Sequence, residues 1–230
     1  MALAAEGQET VRQDHTFLQV KGFFDRSYGE DYNLRSGKQY AHYYAGVFGH
    51  QFFNSPTFRK GSVTIRGDRY DDVLLNYDIY NQLLVLKHTD NTGRTELLQL
   101  TAEFIEEFTL DGKEFVRMTF PQTGTEFFQV IRSGNLACLS HWEKDMVFSA
   151  SATQNSYTFN KQLRRTYLLK DAQLRSFSTR ASFVSLFRKE IRRAINRFVR
   201  NEAISFRQLS DEHLIMILEF CNSLDTGTDD

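Results

Sequence analysis

Positively charged side chains are concentrated in one segment of this chain. Twelve Lys and Arg residues lie between positions 160 and 200, where only two acidic residues, Asp171 and Glu190, oppose them. Guanidinium and ammonium groups bind carboxylates and phosphates through charge-assisted hydrogen bonds. The candidate partner-binding residues are the cations of a predicted helix in this segment: Arg188, Lys189, Arg192, Arg193, Arg197 and Arg200.

Three interpretations of this basic segment compete. The helix face could be solvated and paired with an acidic remainder of the chain, since the net charge of the whole protein is only -1. It could instead dock an acidic protein or an anionic component of the cell envelope. Nucleic acid is the third interpretation, although basic charge supplies only phosphate affinity and no base-reading module is recognisable.

Other reactive residues do not form a recognisable set. The six histidines never lie at helix spacing; His42 and His50 flank a Gly-rich loop, but a metal site needs three or four ligands. We therefore expect no metal site and no cofactor. Ser140 and His141 are neighbours, so a strand would direct them to opposite faces and prevent a nucleophile–base pair.

Acidic residues and cysteines are equally uninformative about catalysis. A glycosidase-like pair among Asp71, Asp72 and Asp78 or among Glu103, Glu106 and Glu107 stays open, but turn-forming and solvated roles explain the same residues. Cys138 and Cys221 lie in no C-x-x-C motif. They are expected to be unpaired, partly buried thiols, with a disulfide possible in an oxidising compartment. The sequence thus favours a non-enzymatic protein.

Composition and periodicity predict the elements that would position the basic segment. The chain has 230 residues with 21 Phe, 10 Tyr and only two Pro, which favours strands. The predicted class is α+β, mainly β: an antiparallel meander (a sandwich, an open barrel or a rolled sheet) followed by a C-terminal helical hairpin. One domain is expected overall, with a loosely ordered leader at 1–36, a β body at 37–178 and the hairpin at 179–224.

Turn residues mark the strands of the β body. Residues 61–86 read as three strands that reverse at Arg66-Gly67-Asp68 and near Tyr77-Asp78. Asp111-Gly112, Ser133-Gly134-Asn135 and Lys170-Asp171 indicate further hairpins. An edge strand is expected around Thr16–Val20 and another strand over Gln39–Tyr44.

The period then changes to that of helices. Apolar residues recur every three or four positions from Phe183 to Phe198, which predicts one amphipathic helix capped by Ser178, Thr179 or Ser182 and ending near Asn201. Ser210 with the acids that follow it predicts the start of a second helix.

The assembled pattern resembles a group of uncharacterised exported proteins of Bacteroidota. The resemblance covers most of residues 39–222. It rests on Gly61-Ser62-Val63, on Gly67-x-x-Tyr70-x-x-Val73-x-Leu75-x-Tyr77-Asp78-Ile79, on residues 167–171 and on the final part from Leu186 through Asn201 and Phe206, a basic helix leading to a second helix. It implies export, in keeping with the small-x-small form of Ala2-Leu3-Ala4. It brings no catalytic residue. An ordinary cytoplasmic N-terminus is the alternative.

The function hypothesis follows from these observations. We expect a non-enzymatic periplasmic or envelope protein that binds a protein partner, such as an outer-membrane β-barrel complex, as a scaffold, plug or accessory subunit. The alternative is a small-ligand or carbohydrate-binding protein or hydrolase with an aromatic- and acid-lined cleft. Nucleic-acid binding through the basic helix is the weaker alternative.

Overall fold

A computed structural model describes residues 34, 37–41, 44, 46–90, 92–150 and 155–225. Apart from Leu34, the predicted leader at 1–36, with its edge strand around Thr16–Val20, lies outside the described residues. The helices are α1 (Arg180–Ser185), α2 (Lys189–Asn201) and α3 (Asp211–Asp225), with 3-10 turns at Ala102–Phe104 and Phe206–Gln208. The strands are β1 (Lys38–Gln39), β2 (Arg59–Ile65), β3 (Asp68–Asp78), β4 (Leu83–Thr89), β5 (Thr95–Gln99), β6 (Ile105–Leu110), β7 (Lys113–Phe120), β8 (Gly124–Ser133), β9 (Leu136–Glu143), β10 (Met146–Ala150), β11 (Asn155–Phe159), β12 (Leu163–Lys170) and β13 (Gln173–Phe177).

One antiparallel sheet dominates the described part of the chain. Its strand order is β1-β5-β4-β3-β2-β6-β7-β8-β9-β12-β13, while β10 and β11 pair as a separate ribbon. The order consists of two meanders that meet where β6 pairs with β2. The predicted mainly antiparallel class with C-terminal helices is confirmed, and so are the turns at Gly67 and Gly112, which both have positive φ.

Ring contacts show that the sheet is rolled. The rings of Tyr77 in β3 and Phe127 in β8 lie 6.0 Å apart. These strands are four positions apart in the sheet, which would separate them by roughly 19 Å if the sheet were flat. The sheet therefore curls around an aromatic core in which Tyr77 and Phe115 are completely buried. Of the three predicted forms, the structure has the rolled sheet, which does not close into a barrel.

The helices cover the same face further along the sheet. Phe115 pairs with Gln129, and Ile131 shares a face with Gln129 because side chains alternate along β8. Phe115 belongs to the aromatic core, whereas Ile131 packs with the apolar residues of α2 and α3 in a second core. The inner face of the sheet thus carries two adjacent apolar cores. The rolled sheet itself covers the aromatic core, and the helices cover the second core.

The segment predicted as one helix forms two helices, α1 and α2, so three helices follow the sheet in the described structure where two were predicted. Chain direction changes at Leu186–Arg188, where Arg188 is extended (φ -60°, ψ 148°), so that α1 and α2 are separate. The guanidinium of Arg192 stabilises the break by donating hydrogen bonds to the carbonyl oxygens of Ser185 and Phe187, both at 2.7 Å. Thr179 is the N-cap of α1 and forms a capping box with Ser182. Both residues were among the three predicted caps.

One strand prediction was wrong, and one strand was not predicted. The strand expected over Gln39–Tyr44 ends at Gln39. The N–H of Tyr40 still donates a hydrogen bond of 2.8 Å to the carbonyl oxygen of Leu97 in β5, but the strand does not continue beyond it. The hydroxyl of Tyr40 donates a hydrogen bond of 2.7 Å to the buried carboxylate of Asp78. Strand β10 had not been anticipated, because Met146–Ala150 lacks a clear alternation of apolar and polar residues.

Both cysteines are fully buried in the helix–sheet core and neither forms a disulfide; burial raises the pKa of Cys138 to about 12. Because the thiolate is the reactive form, we expect neither residue to react with iodoacetamide in the native protein, and both to react after denaturation without reductant. Mass spectrometry of the alkylated protein measures this. Labelling of the native protein, or a denatured protein that resists labelling until it is reduced, would contradict the prediction.

Candidate functional site

Four exposed cations form one strip along α2. They are Lys189, Arg193, Arg197 and Arg200, which we call the α2 basic face. At about 100° per residue they fall within an arc of roughly 80°, and the strip is about 16 Å long. The buried residues Ile191, Ile195 and Val199 lie on the opposite side of the helix. Amphipathic spacing alone therefore presents these cations to solvent.

The α2 basic face is not neutralised by the rest of the described structure. Its four side chains make no ion pair or hydrogen bond with any residue in the described ranges. The β body pairs its acids elsewhere, as in Arg59–Asp111 at 3.1 Å and Arg69–Glu107 at 3.5 Å. Like charges four residues apart cost roughly 0.2–0.5 kcal/mol per pair. The strip thus lowers helix stability slightly, which disfavours the interpretation of a face paired with the acidic body.

The other two predicted cations behave differently. Arg188 is exposed and directly precedes α2. Arg192 is half-buried, and its guanidinium is bound to the carbonyl oxygens that end α1. Five of the six candidates are therefore exposed at the predicted helix, and Arg192 has a structural role. The sequence offers no signal for that role because it depends on the break between α1 and α2.

A polar seam separates the two apolar cores and attaches α3 to the sheet. The carboxylate of Asp211, at the start of α3, accepts hydrogen bonds from Lys113, from Gln129 at 2.7 Å and from Arg164 at 2.6 Å. Residues from four strands and α3 form this cluster, which we call the Asp211 seam: Lys113, Gln129, Ser140, Trp142, Arg164 and Asp211.

The electrostatics of the seam favour the charged carboxylate. Burial acts to raise the pKa of Asp211, but the hydrogen bond from Lys113, the charge of Arg164 and the hydrogen bond from Gln129 outweigh it, and the pKa falls below its ordinary value. Arg164 also donates to the hydroxyl of Ser140 at 2.8 Å and to the carbonyl oxygen of Leu209 at 3.2 Å. The seam therefore fixes the position of the helices over the sheet. The sequence indicated Asp211 only as part of a helix start.

A groove borders the seam where the sheet meets α1. It has a volume of about 770 Å³, and we call it the arginine groove because Arg164, Arg165 and Arg207 line it. None of its lining residues is Asp or Glu. A smaller depression of about 300 Å³ does contain Glu107 and Glu114. Those two carboxylates are paired with Arg69 and Arg132, at 3.5 and 3.2 Å. Neither concavity has the combination of aromatic rings and converging acids that the alternative function requires.

The residues considered for catalysis or metal binding are dispersed. Ser140 bonds to Arg164 on the inner face, while the His141 ring lies 5.9 Å from that of Phe128 on the outer face, as strand alternation predicts. Within the described ranges, no three His, Cys, Asp or Glu side chains are grouped to hold a metal ion. His15 and His42 lie outside those ranges.

Asp78 is buried for a structural reason. Its carboxylate accepts hydrogen bonds from the backbone N–H groups of Tyr80 and Asn81, at 3.1 and 2.9 Å, and so closes the turn between β3 and β4. Lys144 is buried nearby and donates to the carbonyl oxygens of His50 and Phe52, at 2.7 and 3.0 Å; burial lowers its pKa. These hydrogen bonds hold the loop at residues 50–52 against the end of the sheet. Asp71 and Asp72, by contrast, are exposed.

In the part of the chain that the structure describes, the helices are too short or too polar to span a membrane. Comparison of the chain with protein-family models, with curated proteins and with solved structures found no match.

Proposed function

We propose that this protein acts by binding a partner protein, and that the α2 basic face docks on an acidic surface of that partner. The observation that carries the proposal is the exposed strip of four cations without a counter-charge in the described structure. A matching acidic surface would supply the missing ion pairs and relieve the repulsion within the helix.

The charge of the remainder favours a protein over nucleic acid. Outside positions 160–200 the chain has 27 acidic and 16 basic residues. Nucleic acid carries phosphates along its whole length, so the acidic remainder of the chain would repel it. A local acidic patch on a protein would contact only the α2 basic face. At physiological salt, charges interact over about 8 Å, so the strip can act independently of the distant acids.

Reversing charge within the strip tests the proposal. We expect Arg193→Glu with Arg197→Glu to weaken binding of a Glu-rich polypeptide at low salt by at least about tenfold. The thermal midpoint should stay equal or rise slightly, because the new glutamates attract Lys189 and Arg200 where arginines repelled them. Fluorescence anisotropy and thermal denaturation provide the two measurements, with duplex DNA and anionic vesicles as competing probes.

A matched control separates the strip from net charge. Lys38→Glu with Lys87→Glu makes the same change at exposed strand positions and should leave binding nearly unchanged. Equal losses in both double variants, or tighter binding of DNA or vesicles than of the acidic polypeptide, would refute the proposal.

The cellular setting is part of the proposal. We place the protein in the periplasm or envelope, with an outer-membrane β-barrel complex as the partner, on the basis of the resemblance to exported proteins. Cell fractionation tests the compartment. A photo-crosslinking residue at position 193 identifies the contact, and an adduct with a cytoplasmic protein would argue against the assignment.

A further inference from the structure

Strand β12 has a free edge where it borders the arginine groove. Its residues 163–169 pair with β9, but pairing with β13 begins only at Thr166, opposite Phe177. After Phe177 the chain leaves the sheet and enters α1. In the described structure, residues 163–165 therefore have a strand neighbour on one side only.

The free edge presents backbone groups to the groove. Lys170 and Gln173 flank a two-residue turn and therefore exchange backbone hydrogen bonds. Every second pair along the two strands does the same, and the last of these pairs is Thr166 with Phe177. By the same alternation, Arg164 directs its N–H and C=O toward the side that β13 has left. No described residue forms a backbone hydrogen bond with Arg164 from that side. An unpaired strand edge is a template for another strand.

The side chains around this edge select for acidic groups. Arg207 is exposed and forms no ion pair or hydrogen bond with described residues. Arg164 and Arg165 also line the groove, although their charges are already paired with Asp211 and Glu143, at 2.6 and 2.7 Å. Leu163 is 48% exposed at the mouth of the groove and offers an apolar contact.

We propose that the arginine groove binds an extended acidic segment of a partner protein, which adds to β12 as a short strand in line with β13. The added backbone pairs with Arg164, and an acidic side chain of the segment pairs with Arg207. The contact is separate from the α2 basic face, so the two surfaces can be tested independently.

The probes are short labelled peptides added to the full-length protein. An alternating Thr–Glu peptide should bind at micromolar concentrations, while a Thr–Lys peptide, and a Thr–Glu peptide interrupted by prolines, should bind at least about tenfold more weakly. Hydrogen exchange should show that the amide of Arg164 becomes protected when the first peptide binds, because that amide is free in the unbound protein.

Variants distinguish this site from the α2 basic face. Arg207→Glu should weaken binding of the Thr–Glu peptide by at least about tenfold, and Arg207→Lys should restore most of it. Arg193→Glu with Arg197→Glu should leave the peptide's protection of the Arg164 amide unchanged, because that readout reports the groove and not the α2 basic face. The proposal is overturned if the Thr–Glu peptide does not bind at millimolar concentration, if the prolines have no effect, or if only the α2 variant weakens binding.

Discussion

Asp211→Asn is expected to lower the free energy of unfolding by about 3 kcal/mol, the scale measured when one partner of a buried ion pair is removed. The side chain of Asp211 is only 18% exposed and accepts hydrogen bonds from both Lys113 and Arg164. Asparagine keeps the shape of the residue but leaves these two cations partly buried without a counter-charge. Urea denaturation followed by circular dichroism measures the change.

The matched control is Asp71→Asn. The Asp71 side chain is 64% exposed and pairs with Arg69 at 3.0 Å, so its loss should cost less than about 1 kcal/mol. If the two variants were equally stable, the Asp211 seam would not be what attaches the helices to the sheet.

Acidic pH should remove the difference in free energy of unfolding between wild type and Asp211→Asn. The pKa of Asp211 is lowered in the folded protein, so its stabilising effect is fully present above the unfolded pKa of about 3.9. That contribution is lost as the pH falls through the folded pKa. The free energies of unfolding of wild type and Asp211→Asn, measured from neutral to strongly acidic pH, should therefore become equal at the acidic end. A constant difference over this range would contradict the assignment of the effect to the carboxylate charge.

Phe115→Ala is expected to destabilise the protein by about 4 kcal/mol, because it removes a large ring and leaves a cavity in a packed core. The Phe115 side chain is completely buried, stacks on Phe108 at 4.7 Å and meets the edges of Phe53 and Tyr77 at 5.4 and 5.6 Å. Phe53 lies in the loop before β2, and Tyr77 belongs to β3, three positions from β7 in the sheet. The variant therefore tests the roll of the sheet as well as the packing.

Phe148→Ala is the control for the loss of a ring itself. Phe148 lies on the β10–β11 ribbon and is 54% exposed, so truncation should cost less than about 1 kcal/mol. Chemical denaturation of both variants gives the comparison. A small effect of Phe115→Ala would mean that the rings contact one another less closely than the rolled sheet requires.

These variants also separate stability from binding. Asp211→Asn weakens the attachment of the helices and should reduce partner binding only as far as it unfolds the protein. Charge reversal at Arg193 and Arg197 should weaken partner binding without loss of stability, since both side chains are exposed and unpaired in the described structure. A binding defect in a fully stable protein therefore points to the α2 basic face itself.

Features that depend on near neighbours could be predicted from the amino-acid sequence. The hairpin turns at Gly67, Gly112 and Asp171 were predictable because a few residues decide whether the backbone can adopt positive φ. The exposed cations of α2 were predictable because a helix repeats every 3.6 residues and the apolar stripe selects the buried side. Compartment and partner class stay predictions from resemblance and charge.

Only the tertiary structure decided the features that join distant residues. The roll places Tyr77 beside Phe127, and the seam joins Lys113 to Asp211, which lies 98 positions later in the chain. The break before α2 depends on carbonyl oxygens that Arg192 reaches only after the helices separate. The free edge of β12 exists because β13 leaves the sheet at Phe177. Local propensity carries no information about such contacts, because their energies arise only when packing brings together residues that are far apart in the sequence.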